Sequence, residues 1–396
     1  MGRATDRQIR QTIHPFLKKL TFQQVWRMYR TFRNERPQTV NGRLWLNSFF
    51  PPYPSEAFDR FVAITLEKQR APYQIYFAVT SDCPYHCAHC SYGRRKPSNL
   101  PTDILLNIIQ QLKDEGTAIL GFTGGEPLLR DDLEDLVAAA GPEMTTVIFT
   151  TGFSLDEKRA QRFADAGVGC ITIGLESAEE HTHDAIRGTH GSFTTGLAAL
   201  TACKHADIYT SIGTMASHER LYQRELQRLY DLGCEYYVDE LRILSPVPTG
   251  ALTGTPSVLL SPQEKEDIKR FHIRSNKRNT GPVVAANAYL ESAEMFGCNA
   301  GYHHCFIDAS GEVCPCDLMP LSFGNLTEHS FHEVWNAMEP FFPRPQANCL
   351  MGRLAGKIPV TTLPLPPAQS SNLLSDIEPS ALPRLYQHLL PRQRSK

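Results

Sequence analysis

From about residue 73 to residue 244 the chain alternates short apolar runs with amphipathic stretches, and this alternation constrains the fold more than any other feature. Gln74–Val79, Ala118–Phe122, Thr146–Phe149, Ile171–Leu175, Tyr209–Thr214 and Tyr236–Leu244 read as strands. Ile104–Lys113 (with Thr102 as N-cap), Leu133–Ala140, Leu155–Ala166, Phe193–Cys203 and Glu219–Leu232 read as helices, the third and fifth ending at Gly167 and Gly233. Six strand–helix steps in roughly 175 residues imply parallel strands joined by right-handed crossovers. Six units are too few to close an eight-unit barrel. The expected fold is α/β, an open partial (β/α)6 parallel barrel with its chemistry at the C-terminal ends of the strands. The unusual residues (cysteines, Gly-Gly-Glu-Pro, Thr-Thr-Gly, Glu-Ser) all follow those strands.

The flanks differ in character. Residues 1–50 hold ten Lys/Arg against two Asp/Glu, about +8, whereas the whole chain is −2. Val25, Met28, Tyr29 and Phe32 repeat at i, i+3, i+4, i+7, with Lys18, Lys19, Arg27, Arg30 and Arg33 among them. This basic amphipathic helix either packs on the protein or touches an anionic membrane surface or charged partner. Phe49–Pro54 reads as an extended connector, and Ser261–Lys277 as a helix capped by Ser261 with Pro262 at its first position. The expected units are 1–72, a basic N-terminal helical extension; 73–250, the barrel; 251–297, a connecting helical segment; 298–350, a small cysteine-rich β-hairpin and helix domain; and 351–396, a Pro/Leu-rich tail with a short helix near Leu382–Leu390. The near-neutral balance predicts no nucleic-acid partner. The absence of a long apolar run or a secretory signal predicts a cytoplasmic location.

Eleven cysteines, an odd number, make a poor disulfide framework. Three crowd into eight positions, Cys83-Pro-Tyr-His-Cys87-Ala-His-Cys90, and four into nineteen, Cys298, Cys305, Cys314 and Cys316. Cys170, Cys203 and Cys234 lie singly in apolar or helical stretches and read as buried small hydrophobes. Spacings of four and three let a loop wrap three thiolates around one soft centre, which selects zinc, Cu(I) or an iron–sulfur cluster. Structural zinc wants four closed ligands, the fourth here being His86, His89 or a distant group. Three thiolates on a [4Fe–4S] cubane leave one iron open, an arrangement suited to chemistry.

This C-x3-C-x2-C loop after the first strand, followed by Thr123-Gly124-Gly125-Glu126-Pro127 after the second, resembles the radical S-adenosylmethionine (radical SAM) superfamily. The resemblance implies a SAM-binding [4Fe–4S] cluster on Cys83, Cys87 and Cys90. It places Gly124, Gly125 and Glu126 against the SAM amino group, with the glycines letting the backbone approach the ligand. Thr151, in Thr150-Thr151-Gly152, sits where relatives carry Thr-Asn-Gly; Glu176 and Ser177 sit where relatives reach the ribose and carboxylate. His183-Asp184-Ala-Ile-Arg187-Gly188 with Gly191-Ser192-Phe193 resembles a stretch of members with an extra cluster domain, and Arg187 either pairs with the SAM carboxylate or makes an ordinary ion pair. Where relatives often have an aromatic residue before the third cysteine, near adenine, this chain has His89.

Cys298, Gly311 and Cys316 form C-x12-G-x4-C, with a predicted hairpin of Ile307–Ser310 and Glu312–Cys314. This resembles the opening of the SPASM/Twitch extension of radical SAM enzymes. Cys349 is the last cysteine, so the resemblance implies one auxiliary [4Fe–4S] cluster, on Cys298, Cys316 and Cys349 with Cys305 completing it and Cys314 as the alternate. A zinc site is the competing reading. His303 and His304 are ligands under either reading, or simply exposed. The implied activity is reductive SAM cleavage and hydrogen abstraction by a 5′-deoxyadenosyl radical, of oxidoreductase or maturase type. The auxiliary cluster would assist oxidation or hold the substrate, a small metabolite or peptide. A flavodoxin or ferredoxin would supply electrons. An epimerase would need a thiol hydrogen donor, for which Cys170, Cys234 and Cys314 are candidates. The alternative is a non-catalytic zinc- or cluster-binding interaction protein.

Overall fold

The structure is a computed structural model and describes residues 2–3, 12, 20–67 and 70–389. Lys18 and Lys19 lie outside the described residues. A small antiparallel sheet, β1 (Gly2–Arg3), β2 (Gln38–Val40) and β3 (Arg43–Trp45), precedes the main one. The main sheet has nine strands: β4 (Gln74–Thr80), β5 (Ile119–Gly124), β6 (Thr145–Thr150), β7 (Cys170–Gly174), β8 (Tyr209–Met215), β9 (Glu240–Leu244), β10 (Val283–Ala286), β11 (His304–Ile307) and β12 (Val313–Cys314). Their spatial order is β10-β9-β8-β7-β6-β5-β4-β11-β12, and only the last pair is antiparallel.

All six expected strands form and run parallel in chain order, because apolar β-branched runs buried on both faces suit a helix-covered parallel sheet. Ile75, Phe77, Leu120, Phe122, Ile148, Ile171, Ile173, Ile212, Leu241 and Ile243 face the helices in one continuous core. On the concave face Trp45 stacks on Tyr209, ring centroids 4.2 Å apart, over Ile119, Val147 and Cys170. That aromatic plug closes the N-terminal end of the barrel and leaves its C-terminal end for a site.

The flanks depart from expectation in three ways and the barrel in one. The N-terminal extension is not purely helical: between helices Phe22–Thr31 and Glu56–Glu67 it carries a hairpin turning at Asn41-Gly42, both with positive φ (49° and 74°). Phe49–Pro54 is a packed segment, with Leu44 and Tyr53 exchanging backbone hydrogen bonds of 2.7 and 2.9 Å. The stretch read as a connecting helical segment also holds β10, which pairs parallel with β9. The predicted Glu219–Leu232 helix is two helices, His218–Tyr222 and Glu225–Glu235, broken at Arg224 (φ 58°), and Gly233 lies inside the second. The Ser261-capped helix Pro262–Asn276 forms with its full capping box. The hairpin around Gly311 also forms and enters the main sheet, β11 pairing in parallel with β4 from His304↔Gln74 to Ile307↔Phe77.

Candidate active site

At the C-terminal ends of the barrel strands a cavity is lined by Cys83, Cys87 and Cys90 together with Gly124, Gly125, Glu126, Thr150, Thr151, Thr172, Glu176, Arg187 and Thr214. Two neighbours hold the cysteine loop in place. His86 and Ala88 donate backbone N–H bonds to the Arg187 and Ile186 carbonyls (3.1 and 3.2 Å), and Ala251 donates to the Cys90 carbonyl (2.9 Å). Burial raises the Cys83 thiol to about 11 and pushes Cys90 up as well, so metal binding there would have to displace thiol protons.

Gly124 and Gly125 line the cavity and also serve the chain's own packing. A Cβ on either would run into the Thr80 or Asp82 carbonyl oxygen, so the glycines let β5 press against the start of the cysteine loop. Gly125 and Glu126 donate to those same carbonyls at 2.8 and 2.7 Å. The Glu126 carboxylate is fully buried and pinned by the Leu128 and Thr151 amides and both threonine hydroxyls, Thr150 and Thr151. Burial outweighs those bonds and holds its pKa above the ordinary carboxylate value, so an arriving ammonium would be welcome there.

Glu176 is the hub of an ion-pair network. Its Oε1 accepts from His89 (3.0 Å) and Arg187 (3.1 Å), its Oε2 from Arg220 (2.5 Å) and the Met215 amide (3.2 Å). Burial opposes its ionisation, but His89, Arg187 and Arg220 win and hold it well below the carboxylate range. Arg187 reaches across to Cys87 Sγ at 3.6 Å, and its buried Nε has no partner among the described residues. Two sequence expectations change here. His89 lines the cavity but is tied edge-on to Glu176. Ser177 does not line the cavity: its hydroxyl donates to Glu225 at 2.9 Å and anchors a helix.

A second cavity is lined by Cys298, Cys316 and Cys349, with His304, Asp317 and Glu291. His304 Nε2 and Cys316 Sγ lie 3.1 and 3.3 Å from Asp317 Oδ1, and the three donor atoms fall within 4.8 Å of one another. Burial opposes the ionisation of Asp317, yet His304 holds its carboxyl below the ordinary value. Cys305 is not there. It is fully buried in the outer core with Ile75 and Ile307, because alternation along β11 turns it away from the face that His304 presents. Cys314, the alternate, packs instead with Tyr76, Ala78 and Phe306, 4.0 Å from Arg95. Nor are the two histidines simply exposed: His303 bonds the Ala71 carbonyl and His304 is half-buried against Tyr76. None of Cys170, Cys234 and Cys314 lines either cavity. Sequence reading missed Thr172, inside β7, Thr214, signalled by its place near the end of β8, and Asp317, signalled by its place beside Cys316.

Comparison with known proteins fits this geometry. Residues 77–232 match the model of the radical SAM superfamily, and residues 298–342 that of an iron–sulfur cluster-binding domain, SPASM. The chain carries a radical SAM domain and a SPASM domain. Accordingly it uses SAM with a [4Fe–4S] cluster and an auxiliary iron–sulfur centre. The soft donor sets suit both centres: three thiols at each, and beside the first an unpartnered Arg187 Nε for an anion. Similar relatives are the AdoMet-dependent heme synthases of Methanosarcina barkeri (28 % identical, 68 % of this chain and 84 % of that protein) and Nitratidesulfovibrio vulgaris (26 %, 67 % and 79 %). Among solved structures, Streptococcus suis SuiB (TM-score 0.58, 17 % identity, 75 % of each chain) and anSMEcpe with bound AdoMet (0.55, 16 %, 80 % and 97 %) share the radical SAM fold.

Proposed function

We propose that this radical SAM enzyme generates its radical at Cys83, Cys87 and Cys90, and that the substrate lies between that centre and an auxiliary [4Fe–4S] cluster on Cys298, Cys316 and Cys349. One observation carries this reading: the two thiol-lined cavities share Leu244, Asp317 and Leu318 as wall. When bound, SAM and its cluster supply one-electron cleavage of a carbon–sulfur bond and a hydrogen-abstracting carbon radical. The protein's part is placement. Glu126 and the adjoining Gly124–Gly125 backbone receive the SAM amino group, with Thr150 and Thr151 fixing the carboxylate. Arg187 receives the carboxylate of SAM, and Glu176 is a positioning residue that holds Arg187 and His89. Among the described residues no thiol outside the two ligand sets lines either cavity, which favours an oxidation, with the auxiliary cluster taking the second electron, over an epimerisation. A flavodoxin- or ferredoxin-type protein supplies the first electron.

Anaerobic reconstitution tests this. About eight irons and reductant-dependent 5′-deoxyadenosine are expected. Cys83→Ala, Cys87→Ala or Cys90→Ala abolishes the nucleoside; Cys298→Ala, Cys316→Ala or Cys349→Ala removes about four irons and leaves nucleoside formation in place. Stoichiometric zinc without SAM cleavage would show a binding module instead.

A further inference from the structure

The N-terminal helix Phe22–Thr31 shows two different faces. Val25, Met28 and, just beyond it, Phe32 pack inward against a cluster that includes Phe58, Tyr302 and Tyr386. Phe22, Trp26 and Tyr29, spaced i, i+4, i+7, form a second apolar stripe that points outward, 80, 52 and 54 % exposed. These are three of the eight exposed large hydrophobics among the described residues. Arg27, Arg30 and Arg33 are exposed beside the stripe and form no ion pair among the described residues. Amphipathic aromatic rings interleaved with unpaired arginines suit the headgroup region of an anionic bilayer.

What lies behind the helix gives the surface a purpose. A groove lined by Val25, Tyr29, Arg33 and Phe58 also has Met28, Phe32, Phe50 and Phe61 as wall. Those last four residues also line the cavity of Cys298, Cys316 and Cys349, which in turn shares wall with the SAM cavity. Shared, mostly aromatic wall therefore links the groove behind the exposed helix to the cavities of the radical site. We propose that the helix docks on an anionic phospholipid bilayer and that the groove behind it admits a membrane-resident substrate with an apolar chain. This rests on the radical SAM reading above and names its substrate class.

The test uses the full, reconstituted enzyme with phosphatidylcholine vesicles, with and without phosphatidylglycerol. Trp45 and Trp335 are buried, so a blue shift and quenching by brominated acyl chains report Trp26. Salt-sensitive binding to the anionic vesicles is expected. Arg27→Gln/Arg30→Gln/Arg33→Gln weakens it about a hundredfold, at roughly fivefold per arginine. Phe22→Ser/Trp26→Ser/Tyr29→Ser abolishes co-sedimentation with unchanged circular dichroism. A diazirine-bearing palmitate is expected to label Met28, Phe32, Phe50 or Phe61. Both triple variants keep reductant-driven 5′-deoxyadenosine formation, so vesicle binding without the nucleoside overturns the radical SAM reading alone. Equal binding to neutral vesicles, indifference to either triple variant, or self-association that the serine variant dissolves overturns the docking proposal. Haem that competes off the palmitate label gives the groove to a tetrapyrrole and overturns the apolar-chain assignment.

Discussion

Glu176→Gln is the sharpest perturbation of the SAM cavity. Glu176 is 3 % exposed, and Arg187 and Arg220, whose guanidiniums lean on its carboxylate, are 9 and 6 % exposed. Glutamine keeps the shape, removes the charge and turns an N–H2 toward donors on one side or the other. Breaking a buried pair by neutralising one partner costs about 3–5 kcal/mol, because the remaining charge is left uncompensated. Here Arg220 keeps the Glu176 carbonyl (2.9 Å) and Arg187 keeps Cys87 Sγ (3.6 Å), which argues for the lower end, about 3 kcal/mol. The assay is urea unfolding of the reduced apoprotein at neutral pH, comparing wild type, Glu176→Gln, Arg220→Met and the double variant. A coupling of at least about 1 kcal/mol between the two sites is expected. The holo variant should show a raised KM for SAM as Arg187 loses its tether. Because folding lowers the Glu176 pKa, its contribution is present above the unfolded carboxylate value of about 4.3 and is lost as pH falls through the folded one. A loss below about 1 kcal/mol, or additive single effects, would refute the network reading.

Three further outcomes are expected. Gly125→Ala forces a methyl into the Asp82 backbone carbonyl; equilibrium dialysis should show SAM affinity falling at least tenfold and stability by about 2 kcal/mol, whereas Gly352→Ala, with open space around it, changes neither. Cys305→Ala should retain the full iron content on reconstitution and cost about 1 kcal/mol as a small core deletion; a loss of about four irons would return Cys305 to the ligand set. His183 is buried and accepts the Glu176 amide on Nδ1 (3.0 Å); burial, then Arg187, lowers its pKa to about 4. The unfolded state therefore binds more protons between about pH 6.5 and the folded value, and up to roughly 3 kcal/mol of apoprotein stability is lost as pH falls through that window. His183→Gln should flatten the dependence of the urea midpoint on pH between 7 and 5.

The barrel was legible because each strand is a short run of apolar and β-branched residues bracketed by turn signals, and the first thiol-lined cavity because its three cysteines fall within eight positions. Other features were less so. Val283–Ala286 is too short an apolar run to tell strand from helix. Arg224 adopts a left-handed conformation that nothing in its sequence announces. The Asn41-Gly42 turn was announced and went unread. Cys305 misled because spacing says nothing about facing: in β11 it neighbours His304, and period-two alternation allows only one of them to face the second cavity. The resemblance puts Glu176 and Ser177 at the ligand, and Glu176 does line the cavity; that Arg220 and Glu225, some forty-odd residues onward, also bond them is announced by no spacing.

Strand β11 joins β4 as its direct parallel neighbour, and this has a mechanical consequence. Cys83, Cys87 and Cys90 follow β4, and Cys298 and Cys316 flank β11–β12, so these thiols hang from one continuous hydrogen-bonded sheet, with Cys349 joining them from the N-cap of helix Leu350–Leu354. The gap across which an electron would pass is therefore set by the sheet itself and not by docking of one lobe on another. On the function proposed above, the space between the two centres is thus framed by the chain's main sheet and not by a hinge between lobes.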